Sequence, residues 1–87
     1  MPSTKLAPRK RSLMVRFPRL QQIRERQLGW NAADIFVRLP ANRPSLATIY
    51  RLERGEAIRA SNARRVFDVV NAALNNSLDS NEELKVR

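Results

Sequence analysis

The 87-residue chain contains no cysteine and no histidine. The first absence excludes disulfides and thiolate chemistry, and the two together exclude zinc sites of the usual ligand types. They also remove the commonest soft nucleophile and the commonest general base. Eight carboxylates remain. Glu25, Glu53 and Glu56 lie among arginines, and Asp79, Glu82 and Glu83 lie in a polar stretch. Neither setting suggests an acid/base pair, so no enzymatic activity, no metal and no cofactor are expected. No apolar run approaches the ~18 residues of a membrane-spanning helix. The N-terminal residues lack the apolar stretch of a secretory signal. A cytoplasmic protein with no membrane partner is the expectation. Aromatic residues are few (three Phe, one Tyr, one Trp), which argues against a stacking platform for single strands. The length allows one small domain with one modest core.

What the chain does have is positive charge. The net charge is +9, and residues 1–65 hold fifteen of the seventeen basic residues against four acids. Residues 66–87 carry a small negative balance. Arginine outnumbers lysine fourteen to three. The planar guanidinium fork binds phosphates and guanine edges bidentately, so this preference points to nucleic acid.

Residues 1–17 read as a basic arm. Lys5 and the run Arg9-Lys10-Arg11 come with Pro2 and Pro8 and with few apolar residues before Leu13. Residues 1–11 are expected to be disordered and to lie against phosphates or in a minor groove. Leu13 to Phe17 is short and apolar, and reads either as a strand or as a lead-in packed on the domain.

A first helix is predicted from Pro18 to Leu28, with Leu20, Ile23 and then Gln27–Leu28 inward and Gly29 as its terminator. Trp30 reads as a core anchor, with base stacking as the alternative. Asn31 caps a second helix and Asp34 stands at its third position, a capping-box arrangement. Pro40 ends that helix, and the segment from Pro40 to Pro44 is turn-like. The next helix, Leu46 to Arg54, has Ser45 as N-cap and Gly55 as terminator. Ile49 and Leu52 fall on one side of it; Ala47, Tyr50, Arg51 and Arg54 fall on the other. A fourth helix is predicted over residues 62–75, capped by Ser61, with Ala63, Val66, Phe67, Val70, Ala73 and Leu74 inward. Residues 79–87 read as a short helix or a frayed tail, after a domain spanning residues 18–78.

The run from Gln27 to Ile35, followed by Ser45 to Gly55, resembles the Cro/C1-type (XRE-like) helix-turn-helix family. The family pattern has a Ser/Thr cap, an aliphatic residue four places on, another three later, then Glu, a variable residue and Gly. Ser45, Ile49, Leu52, Glu53 and Gly55 match it. The resemblance implies an all-α, compact four- to five-helix domain like that of lambda repressor, whose third helix enters the major groove of double-stranded DNA. It implies base contacts from Leu46, Ala47, Thr48 and Arg51. Backbone contacts are then expected from Asn31, Arg38, Arg43, Ser45, Tyr50 and Arg54, together with Lys5, Arg9, Lys10 and Arg11 of the arm.

Many members of the family are homodimers. Phe67, Val69, Val70, Leu78 and Leu84 are the expected place for self-association. The family also pairs a first-helix arginine with the glutamate before the glycine. Arg24 fills that role for Glu53 only if one extra residue is accommodated before Gly29; a strict count puts Glu25 there. The chain departs from the pattern at Ala32 and Phe36 and in a longer turn with two prolines, which implies a different spacing or angle between the second and third helices. The expected function is sequence-specific regulation of transcription. The alternative is a protein-interaction module on the same scaffold, of antiactivator or antitoxin-like type with a protein partner.

Overall fold

The computed structural model describes residues 13–87. The order of elements is β1 (Met14–Arg16), α1 (Leu20–Ile23) continuing into a π-helical turn (Arg24–Leu28), α2 (Ala32–Arg38), α3 (Leu46–Glu53), β2 (Ile58–Arg59), α4 (Ala60–Ala73), α5 (Ser80–Glu83) and β3 (Lys85–Val86). Among the described residues no helix is long and apolar enough to cross a membrane.

The domain is not all-α. A three-stranded antiparallel sheet of order β2-β1-β3 closes one side of the helices. Met14 stands opposite Arg59 and Val15 opposite Ile58. On the other edge Val15 faces Val86, and Arg16 faces Lys85. The segment Leu13 to Phe17 is therefore the central strand and its exit, and belongs to the globule rather than to an arm. The reason is non-local. Val15, Phe17 and Ile58 are buried, and the sheet lets their backbone groups pair while the side chains join the core. The C-terminal residues are likewise a short helix followed by an edge strand instead of a frayed tail.

One core unites the two layers. Val15, Phe17 and Ile58 from the sheet side meet Leu20, Ile23, Ile35, Ile49, Leu52, Ala63, Val66, Phe67 and Val70 from the helices. Phe17 and Phe67 pack with ring centroids 5.7 Å apart and ring planes inclined at 49°. Of the residues predicted for self-association, Phe67 and Val70 are buried in this core, and Val69, Leu78 and Leu84 are half-buried against it. Helix α4 starts at Ala60, earlier than Ser61 would have capped it, because β2 runs directly into it and the Ala60 N–H donates to the Leu13 carbonyl at 2.8 Å.

The first helix differs from a regular one in a way that matters. From Arg24 the backbone widens into a π-turn, which accommodates one residue more than an α-turn would. The inward position after Ile23 thereby moves from Gln27, which is exposed, to Leu28, which packs on the core. Gly29 then ends the helix in the left-handed region at φ 66°. The Arg24 carbonyl accepts from the N–H groups of both Gly29 and Trp30.

At the C-terminal end, Glu83 is buried and holds Arg19 through two hydrogen bonds, of 2.9 and 2.6 Å. The hydrogen bond and charge of Glu83 raise the Arg19 guanidinium above its ordinary pKa. This pair ties α5 to the start of α1.

Candidate nucleic-acid interface

Helix α3 is held at both ends by its own sequence. Ser45 adopts extended backbone, and its Oγ accepts from the Thr48 N–H at 3.2 Å. The two hydroxyls, Ser45 Oγ and Thr48 Oγ1, are a further hydrogen-bonded pair at 3.0 Å. At the far end Gly55 turns the chain at φ 89°. Between the caps, Ile49 and Leu52 are fully buried. A helix anchored at these two positions turns residues 47, 51 and 54 outward. Ala47, Arg51 and Arg54 are indeed exposed, and Thr48 and Leu46 flank them half-buried.

Glu53 fixes the orientation of this helix relative to α1. Arg24 reaches it with both Nε and Nη2, the latter at 2.9 Å, and donates through Nη1 to the Trp30 carbonyl at 2.8 Å. The side chains are only 11% and 7% exposed. The hydrogen bonds it donates to Glu53 raise the Arg24 guanidinium above its ordinary pKa, against the opposing effect of burial. The π-turn supplies the extra residue that the Arg24 pairing requires. Glu25, by contrast, is exposed and lies 3.7 Å from Arg24.

Helix α2 presents a different picture. Asn31 Oδ1 accepts from the Asp34 N–H at 3.0 Å, and Asp34 Oδ2 accepts from the Asn31 N–H at 2.9 Å. The reciprocal cap occupies Asn31 and leaves a carboxylate at the helix N-terminus. Asn31 itself is exposed, and the Asp34 charge beside it opposes the pull of the helix N-terminus on an anion. Two other predicted phosphate contacts are stacked on aromatic faces. The Arg38 guanidinium lies 4.3 Å from the centroid of Trp30, and that of Arg43 lies 4.1 Å from the centroid of Phe36. Stacking restricts where the in-plane N–H groups point, and Arg38 already donates one of its own, from Nη1, to the Asp34 carbonyl at 2.8 Å. Phe36 is half-buried beneath Arg43.

The predicted contacts thus divide. Ala47, Tyr50, Arg51 and Arg54 are exposed along α3, with Thr48 and Leu46 half-buried beside them. Leu46 also packs against the core, so only part of it faces outward. Ser45 is exposed but its hydroxyl is engaged in the cap. Lys5, Arg9, Lys10 and Arg11 lie outside the described residues.

Sequence reasoning missed two features. Glu56 pairs with Arg54 at 2.9 Å and lies 3.8 Å from Arg51, so one exposed carboxylate serves both outward arginines. Its place one residue after the terminating glycine was the available signal, since the turn there folds the chain back on α3. The second is a shallow groove of about 260 Å³ lined by Met14, Thr48, Arg51, Ile58, Arg59 and Asn62. It joins α3 to the sheet, and nothing local in the sequence marks it. In comparison with known proteins, no protein-family model, no curated protein and no solved structure matches this chain.

Proposed function

We propose that this protein binds double-stranded DNA in a sequence-dependent way through α3 and acts as a small regulator of transcription. The observation that carries the reading is the outward face of α3. It combines a small residue, Ala47, with Arg51 and Arg54, on a helix locked from beneath by Ile49, Leu52 and the Arg24–Glu53 pair. A small side chain lets the helix backbone come close to base edges, and an arginine one turn on suits guanine O6 and N7. The resemblance of Ser45 to Gly55 to the Cro/C1-type pattern supports the same reading. The charge balance of residues 1–65 supplies the non-specific attraction that brings a duplex to it.

Selection of binding sites from a random duplex pool, followed by gel-shift titration, tests this. The native chain should enrich a defined sequence. Arg51→Ala should weaken binding to that sequence by about 5- to 150-fold, the range of one bidentate base contact, and should relax preference at one base pair. Enrichment of no sequence, or an unaltered preference in Arg51→Ala, would remove α3 as the reading element.

Glu56 makes a second prediction. Its carboxylate holds the two guanidinium groups that a duplex would recruit. Exposed pairs of this kind are worth less than ~1 kcal/mol, so Glu56→Gln should tighten duplex binding by about threefold at low salt. The gain should shrink as added salt screens the lost charge. Weaker binding of Glu56→Gln would show instead that Glu56 organises the arginines for DNA.

A further inference from the structure

The sheet has a face that the core does not use. Side chains alternate along a strand, so the burial of Val15 and Ile58 directs Met14, Arg16 and Arg59 to the opposite side. Lys85 joins them there, because it stands directly across from Arg16. Arg16, Arg59 and Lys85 are exposed. Among the described residues none of the three takes part in an ion pair. Glu82 and Glu83 share a shallow groove with Lys85 and Arg19, and the carboxylate of Glu83 is already taken by Arg19.

Like charges directly opposite each other destabilise a strand pair. The Arg16–Lys85 register therefore carries an unfavourable term that an anion on this face would relieve. The residues before β1 do not offer that anion, because residues 1–12 hold Lys5, Arg9, Lys10 and Arg11 and no acid. Position identifies the anion. Strand β2 is the edge next to α3, and Arg59 and Met14 line the same groove as Thr48 and Arg51. A cationic strip thus begins at the outward face of α3 and continues across the sheet. Its strands are ~4.8 Å apart, so the strip extends about 10 Å from β2 to β3.

We propose that the outer sheet face is a second DNA-contact surface, on which Arg59, Arg16 and Lys85 hold phosphates of the same duplex that α3 enters, beyond the Thr48 flank. The proposal rests on the reading of α3 as the DNA-entering helix. The face adds affinity and orientation without base information, since phosphate contacts fix register and carry no sequence. It gives the sheet a use beyond closing the core.

The test is a salt titration of duplex binding with the full chain, on the selected site with several flanking base pairs on each side. The variants are Arg59→Gln alone and the combination Arg16→Gln, Arg59→Gln and Lys85→Gln. These changes are exposed, and the combination removes the like-charge pair, so thermal melting should show a fold at least as stable as the native one. Each phosphate contact contributes about 0.9 to the slope of log affinity against log salt. The slope should therefore fall by about one in Arg59→Gln and by two to three in the triple variant, with base preference at the selected site retained. An unaltered slope in the folded triple variant, with the native chain still selective, would overturn the sheet proposal and leave α3 standing. If the native chain selects no sequence, the same titration on a random duplex of equal length reads the face alone: a slope that still falls in the triple variant would uphold the sheet as a phosphate-binding surface and remove the α3 reading. Loss in the triple variant of binding to phosphatidylglycerol vesicles, with duplex binding unaltered, would assign the face to a lipid surface and overturn the proposal.

Discussion

Arg24→Leu is expected to destabilise the folded domain by about 3–5 kcal/mol, because it leaves the Glu53 carboxylate buried without its partner. The Glu53 side chain is 7% exposed, and both its oxygens accept from Arg24. Water therefore has little access to replace the lost contact. The Trp30 carbonyl loses its donor in the same substitution. For a domain of this size each kcal/mol lowers the melting temperature by about 4–8 °C, so a drop of 12 °C or more should appear in a thermal scan. Replacing Arg24 and Glu53 together by leucine should recover much of the loss, since the penalty of the single change is chiefly that of an unpaired buried charge. If the two single changes simply added, the pair would not be the unit that joins α1 to α3.

The π-turn gives this prediction a sharper companion. Removing Arg26, an exposed residue within the turn, shortens the path from Arg24 to Gly29 by one. An ordinary α-turn then suffices, and Arg24 falls at the position that the strict count assigns to the partner of Glu53. The shortened chain should retain the ion pair and melt far closer to the native chain than Arg24→Leu does. Equal destabilisation by the two changes would mean that the π-turn does more than absorb one residue.

These positions also show how much of the molecule is readable from its sequence. Local chemistry was legible. Ser45 and Thr48, Asn31 and Asp34, and the left-handed glycines at 29 and 55 lie where capping rules place them. The inward stripe of α4 follows from its spacing at Ala63, Val66, Phe67, Val70 and Leu74, whereas Ala73, also predicted inward, is exposed in the last turn, where the helix ends before anything covers it. Long-range chemistry was not. Ile58–Arg59 and Lys85–Val86 are two-residue strands, too short for an alternating pattern to be recognised, and each exists only because Met14–Arg16 lies between them. The all-α expectation failed for that reason. Glu83 sits in a run of polar residues that gives no hint of burial, and only Arg19, far away in the chain, accounts for it. An apolar stripe such as Phe67, Val69 and Val70 shows that something must cover it, but not whether the cover comes from the same chain. Here it does. Within the candidate site, the orientation of Arg51 was legible from the spacing of Ile49 and Leu52, whereas the attachment of Glu56 and the adjoining sheet face depended on how the chain returns after Gly55.

The sheet can be tested most directly at the residue that the arm reading placed outside the domain. Phe17 has no exposed surface and packs on Phe67 beneath the exit of β1. Phe17→Ala should destabilise the protein by about 3–5 kcal/mol, combining lost burial with an unfilled cavity among side chains that cannot fully collapse. A small domain has total stability of the order of 5–15 kcal/mol, so the variant should be partly unfolded near physiological temperature. Chemical denaturation followed by circular dichroism measures this. Phe17→Leu should lose far less, because most of the volume is retained. An Arg16→Ala control separates burial from mere position in the strand, as Arg16 is the exposed neighbour and should alter stability little or improve it by relieving Lys85. If residues up to 17 were instead a mobile arm, Phe17→Ala would shift the denaturation midpoint no more than that control. Near-identical curves for the two would remove β1 from the fold, and with it the cationic sheet face beside α3. A large loss confined to Phe17→Ala requires the exit of β1 to be part of the cooperative unit, which is the condition for the sheet face to serve as the phosphate surface proposed for it.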